Sequence, residues 1–346
     1  MLICFVVAMR IIMKKLAIVG AVIVFLLLSA SGVSYFFAAS PMDEESKTFV
    51  VEKGSSMSKV AKDLEDAGII RSAKFFLMIY KARGEKMIKA GKYRAYGNDT
   101  SFKLIKKIEA GEVVTAKVTI PEGYNIKQMA EVFETSGVCS ASDFIKYSKD
   151  KAFLKRIGID YPTAEGYLFP ETYVIAEGLD ARDVISILKK KTDSVLKELN
   201  WKPKKDLSTH EMLTLASIIE KEAKVKTEQA VVSSVFHNRL KIGMPLQSCA
   251  TVLYALDKTI PHLLLKDLEV DSPYNTYRHK GLTPTPIASS GLGAIKAAIN
   301  PAKTDYLFFV AKNDGSHYFS KTYGSHLKAQ DHYIHGEKNG FNDDQK

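Results

Sequence analysis

A carboxylic acid that arrives at the end of an apolar helical stretch can keep its proton near neutral pH, and one glutamate here stands that way. In EMLTLASIIEKEAKVK (211–226) the residues from Met212 to Ile219 are almost wholly apolar, and Glu220 follows them in the next turn. Burial disfavours the charged form of a carboxyl, raises its pKa and suits it to general acid catalysis. The same letters also write a solvated helix end, with Glu220 and Lys224 as an i, i+4 pair. Glu222 does not bring a second acid to the same cleft: at about 100° per residue it points roughly 160° away from Glu220. If Glu220 is catalytic, a second acid comes from elsewhere or the chemistry needs only one.

Other chemistries find less support. Cys4, Cys139 and Cys249 lack the paired spacing of a zinc site or of a disulfide framework. His332-x-x-His335 lies in a polar tail, and no metal or cofactor is expected. The chain carries 49 Lys+Arg against 39 Asp+Glu, a net charge of +10 that favours anionic partners. Its lysines are scattered rather than grouped with stacking aromatics, which argues against nucleic acid. Lys189-Lys190-Lys191 is too short for a membrane-binding patch and reads as a solvated helix face. Phe169-Pro170 with Tyr173 reads as either a sugar-stacking edge or a buried turn.

The elements that would position Glu220 are legible in outline. Ser208-Thr-His-Glu211 is a capping box that starts the helix bearing Glu220. At the other end of the chain, Leu16 to Ala39 runs 24 residues without a charge, about 36 Å as a helix against roughly 30 Å of hydrocarbon. Arg10, Lys14 and Lys15 precede this run, and Asp43, Glu44 and Glu45 follow it. The charge bias predicts a single-pass anchor in the cytoplasmic membrane, N-terminus inside and the remainder outside. A cleaved signal peptide is the rival reading, but its apolar core would be shorter and Ala38-Ala39-Ser40 is a poor cleavage site. Met13 reads as a more natural start than Met1.

Between the anchor and the Glu220 helix lies an internal repeat. At a constant offset, Gly54 meets Gly123, Ala61 meets Ala130, Gly68 meets Gly137 and Phe75 meets Phe144. Each copy (49–76 and 117–144) reads as a strand, a Gly turn, an amphipathic helix, a Gly C-cap and a second helix start. Strands at 90–94 and 115–120 flank a helix at 101–109 between them. The first copy resembles a LysM-related module, a small fold that grips glycans containing N-acetylglucosamine.

The blocks AEGYLFPETY (164–173), ASIIEKEA (216–223), VFHNRL (235–240), GMPLQSCATVLYAL (243–256), SPYNTYRHKGLTPTPIASSGLGAIKAAINPAKTDYLFFV (272–310) and GSHYFSKTYGSHLKA (315–329) follow in that order. In this order they resemble the endolytic murein transglycosylase family, over about 48–329. The resemblance implies an α+β fold with a membrane anchor, a LysM-like segment and an α+β catalytic domain. The implied boundaries are a cytoplasmic tail 1–15, transmembrane helix 16–39, linker 40–47, LysM-like module 48–116, second repeat 117–150, catalytic domain 151–330 and polar tail 331–346. It places the catalytic acid on Glu220 and substrate-binding roles on Gln247, Asn275 and Tyr277, with Tyr277 orienting a sugar or Glu220. Cys249 stands where many relatives carry Asp, and a nucleophilic Cys249 would need a base such as His237 or His279 beside it. His317 and His326 are expected to be structural. The implied reaction cleaves the MurNAc–GlcNAc bond of nascent strands and leaves 1,6-anhydro-MurNAc ends, with roles in wall assembly and strand-length control. The implied partners are peptidoglycan, the cytoplasmic membrane and wall-synthesis proteins. A lysozyme-like hydrolase using the same glutamate, or a non-enzymatic wall-binding anchor, are the rival functions.

Overall fold

A computed structural model describes residues 45–258, 263–312 and 314–334, with isolated positions at 15, 18–20, 22–23, 42 and 336. The predicted membrane helix, 16–39, lies outside these residues except at 18–20 and 22–23. Among the described residues no helix is long and apolar enough to cross a membrane. The architecture is mixed α+β: helices with two-stranded sheets. By its contacts the chain divides into Met1–Thr115 with Ala176–Gly178, and Ala116–Ile175 with Leu179–Lys346.

In the first unit β1 (Ser46–Val51) pairs antiparallel with β2 (Gly91–Tyr96), Ser46 opposite Tyr96 and Val51 opposite Gly91. Between them run α1 (Met57–Asp66) and α2 (Ala73–Ala82), and α3 (Ser101–Ala110) follows β2. Ser56, Ser72 and Thr100 each accept a backbone N–H at the start of these helices, the bond that N-cap residues supply to otherwise unpaired donors. The i, i+3, i+4 stripe of α1 (Val60, Ala61, Leu64) buries against Ile69, Phe76, Tyr93, Leu104 and Ile108.

The second unit opens with the second copy of the repeat. Strand β3 (Thr115–Thr119) leads through Gly123, at φ +79°, into α4 (Ile126–Thr135). Helices α1 and α4 are each ten residues long and start and end on equivalent residues of the two copies. The turn residues Gly54 and Gly123 share a left-handed φ. After α5 (Ala141–Tyr147) and α6 (Lys151–Arg156), β4 (Thr172–Ala176) returns to pair with β3. There follow α7 (Ala181–Glu198), α8 (Thr209–Glu222), α9 (Gln229–Lys241), α10 (Cys249–Ala255) and α11 (Leu292–Ile299). The antiparallel pair β5 (Phe308–Ala311) and β6 (His317–Ser320) precedes α12 (Tyr323–Tyr333).

Helix α8 is the axis of this unit. Its capping box forms as the sequence predicts, with Ser208 and Glu211 bonding each other's backbone N–H. His210 and every residue from Met212 to Ile219 are buried, as a helix apolar on all faces requires. Packing corrects one minor expectation and decides between the alternatives of another. Lys189 is 7% exposed, its stem buried and its ammonium bonded to Asp193 at 2.6 Å. Tyr173 is also buried, its hydroxyl donating to the Phe169 carbonyl at 2.6 Å, so the Phe169–Tyr173 segment is a packed turn rather than a sugar platform.

Candidate active site

Three contacts spaced along one stripe of α8 hold the loop 284–291 against it. His210 Nε2 meets the Pro284 carbonyl at 2.8 Å, the Ile287 N–H donates to Ser217 Oγ at 3.0 Å, and the Gly291 N–H donates to Glu220 Oε2 at 2.9 Å. Positions 210, 217 and 220 lie on one helical face. On the loop's other edge, Gly123 N–H donates to the Ser289 carbonyl and Ser289 N–H to the Tyr124 carbonyl, both at 2.8 Å. Glu220 therefore stands where the end of α8, the loop 284–291 and the turn 121–124 converge.

Helix α8 ends at Glu222, so Lys224 lies beyond the helix and the i, i+4 pair with Glu220 does not form. The carboxyl of Glu220 is half-buried, and its pKa is raised. Burial is the main cause, the neighbouring Glu122 carboxylate adds to it, and the Gly291 N–H with Lys226 and Lys221 opposes it. The unpaired carbonyls of the last helical turn also disfavour an anion there. A raised pKa suits Glu220 to the protonation of a leaving oxygen.

Glu122 is the residue that sequence reasoning passed over. Its carboxylate pairs with Lys226 at 2.7 Å and lies so close to Gly291 that a Cβ there would stand 1.9 Å from Glu122 Oε1. A Cβ on Gly123 would stand 3.8 Å from Glu220 Cγ. The missing side chain at Gly291 leaves room for Glu122 in this corner. Beside it opens a cavity of about 140 Å³ walled by Gly123, Lys221, Ala250, Tyr254 and Ile287.

The other predicted residues lie in the segments around Glu222. Ser248 Oγ donates to Glu222 at 2.5 Å, and Cys249 Sγ lies 3.1 Å from the Tyr277 hydroxyl. Burial, first of all, raises the pKa of both Cys249 and Tyr277, so the thiol is protonated at neutral pH and the nucleophile reading lacks its thiolate. Gln247 is exposed at φ +50°, held by its own N–H to the Thr276 carbonyl and by Arg239, which donates to the Leu246 carbonyl at 2.7 Å. Strained backbone of that kind aims a side chain at the cost of local stability. Asn275 braces its own loop. It is fully buried, its amide donates to the Leu268 and Val270 carbonyls, and its oxygen accepts from Tyr277 N–H.

His317 is buried against Glu228 at 2.8 Å. Among the described residues no cluster of His, Cys, Asp or Glu is placed to hold a metal ion.

The fold is mixed α+β, and Glu220 stands in the last turn of its buried helix. The chain belongs to the YceG-like family, whose model matches residues 49–332. It is 37% identical over 314 residues to the endolytic murein transglycosylase of Bacillus subtilis (strain 168), covering 85% of this chain and 87% of that one. It is 32% identical over 337 residues to the protein of that name from Streptococcus pneumoniae D39, covering 86% of this chain and spanning 61% of the longer pneumococcal one. A crystal structure of a yceG-like protein from Listeria monocytogenes superposes at TM-score 0.54 and 36% identity, over 83% of this chain and all of that one.

Proposed function

We propose that this chain is an endolytic murein transglycosylase in which Glu220 serves as both acid and base. The observation that carries the reading is the setting of Glu220, a half-buried carboxyl of raised pKa that accepts from the Gly291 N–H, next to Lys221 and Gly123 of the cavity wall. Glu220 gives its proton to O4 of the GlcNAc leaving group as the bond from MurNAc C1 breaks. The resulting carboxylate then takes the proton of the MurNAc C6 hydroxyl, whose oxygen closes on C1 as a 1,6-anhydro ring. Water is not consumed, and because the nucleophile belongs to the substrate no second protein carboxylate is obligatory, unlike ordinary glycoside hydrolysis.

Glu122 supports one alternative. A carboxylate crowded against the same glycine as Glu220 could activate water, which would make the enzyme a hydrolase with the same acid. Mass spectrometry of digested sacculi separates the two, since anhydro-ended products are lighter than reducing-ended ones by one water. Reducing ends alone would overturn the transglycosylase reading, and no new chain ends would leave a wall-binding anchor.

The reading extends to the cell envelope. The charge-free run 16–39 with basic residues before it and acidic ones after it supports a single-pass anchor, with the catalytic unit outside the cytoplasmic membrane. There the enzyme acts on nascent strands in wall assembly and meets wall-synthesis proteins. The order β1-α1-α2-β2, closed by an antiparallel pair, supports a LysM-like module at 48–116 that holds glycan, followed by a repeat at 117–150 and the catalytic domain at 151–330.

A further inference from the structure

Glu165 lies within AEGYLFPETY, yet none of the chemistry above uses it. It is 3% exposed. Its Oε2 accepts from the Ile126 N–H at 3.2 Å and the Tyr254 hydroxyl at 3.4 Å, while its Oε1 has no partner. An unpaired buried carboxylate oxygen is costly, and such exceptions call for a reason. Glu165 lines a cavity of about 200 Å³ that shares Asn125, Tyr254 and Asp257 with the cavity beside Glu220. Two apolar side chains, Ile126 and Ile145, line it as well. Thr163 is a further wall residue, and because its Oγ1 already accepts from the Glu165 N–H its own proton is free to donate. Lys149 adds a cationic donor at the mouth.

The cavity thus offers a lone acceptor, an apolar wall and hydroxyl and ammonium donors. Those are the three needs of an acetamido group: an acceptor for its N–H, a dry surface for its methyl and a donor for its carbonyl. We propose that this cavity is an N-acetyl subsite, in which Glu165 Oε1 accepts the 2-acetamido N–H of an N-acetylhexosamine ring lying against Tyr254. The proposal rests on the glycan substrate proposed above. It adds that Glu165 positions a sugar remote from the bond being cut.

Glu165→Gln tests it, because only the Gln carbonyl can meet the Ile126 N–H. The Gln NH2 then occupies the place of Oε1 and turns a donor toward a donor. The acceptor exists only when the carboxyl is ionised, so binding is measured near pH 8, above the value of about 7 to which burial raises it. The titratable and charged groups around the cavity are Lys149, which lowers that value, Tyr254, whose hydroxyl is neutral there, and the Lys127–Asp257 ion pair. The probes are chitotetraose and cellotetraose, which lacks acetamido groups, titrated into full-length Glu220→Gln protein that does not turn them over.

Glu220→Gln protein should bind chitotetraose in preference to cellotetraose. Adding Glu165→Gln should weaken chitotetraose at least about tenfold and leave cellotetraose unchanged. Ile145→Phe, which fills the methyl wall without touching the carboxyl, should weaken chitotetraose alone in the same way and covers the case in which Glu165→Gln does not fold. Equal chitotetraose affinity with and without either substitution overturns the subsite while leaving the transglycosylase reading intact. No binding of chitotetraose to Glu220→Gln protein removes the glycan reading and the subsite together.

Discussion

Glu165 also makes a quantitative prediction about folding. Burial raises its pKa from the ordinary glutamate value of 4.5 to about 7. With the residue 3% exposed, solvent screening takes little from that effect. Between those two values the folded protein holds a proton that the unfolded chain has released. Stability is therefore greatest below about pH 4.5, falls as pH rises and levels off above about pH 7. A gap of about 2.5 pH units at 1.36 kcal/mol each sets the loss from this one carboxyl at about 3 kcal/mol. Glu165→Gln cannot titrate and removes this slope, whatever constant amount its amide costs or contributes. Urea unfolding of parent and variant at about pH 5 and about pH 8 should show the parent losing about 2.5 kcal/mol more than the variant over that interval. A parent-minus-variant difference that stays the same at both pH values would show that Glu165 is ionised throughout and that burial does not hold its proton.

Gly291→Ala places a methyl where the Glu122 carboxylate now sits, at backbone angles that alanine accepts. Glu122 should be displaced and turnover should fall about tenfold or more without loss of fold, as small misplacements at catalytic centres cost; unchanged turnover would show that this corner is not the reacting one. Gly166→Ala sets a Cβ at φ +77° within 2.2 Å of Pro286 Cβ and should destabilise the second unit by about 2–4 kcal/mol in urea unfolding. Cys249→Ser should retain turnover within about threefold, and Cys249 itself should alkylate faster at about pH 9 than at about pH 7, because burial raises its thiol.

The order and type of the elements could be read locally because their signals are local. The capping box at Ser208, the stripe of α1 and the turn glycines of the repeat each act within a few residues, and each formed where the sequence placed it. The half-burial of Glu220 was legible because an apolar run delivers it. Its partners were not, since Gly291 and Glu122 reach it from distant segments and no local pattern announces a close backbone approach. Glu122 and Gly123 could be aligned as a repeat turn, but only the fold shows that the turn leans on α8. The bonds of Asn275 were not legible either, because a polar residue inside a shared block serves backbone carbonyls as readily as ligands. Glu165 escaped notice for a related reason: carboxylates are rarely buried, and its burial depends on Ile126 and Tyr254, which are remote in sequence. Glu222 turns to Ser248, whereas Glu220 meets Gly291, so the two carboxyls have different partners.

The most direct measurement is the release of anhydro-muropeptides from purified sacculi by Glu220→Gln protein beside the parent, with the melting temperature of both. The amide keeps the volume of the carboxyl and can still accept from the Gly291 N–H, but it carries no titrating proton. Loss of general acid and base catalysis should lower release by at least about 10²–10⁴-fold, while the melting temperature stays within about 3 °C. A Glu220→Gln protein that releases anhydro-ended products at half the parent's rate would mean that Glu220 is not the acid.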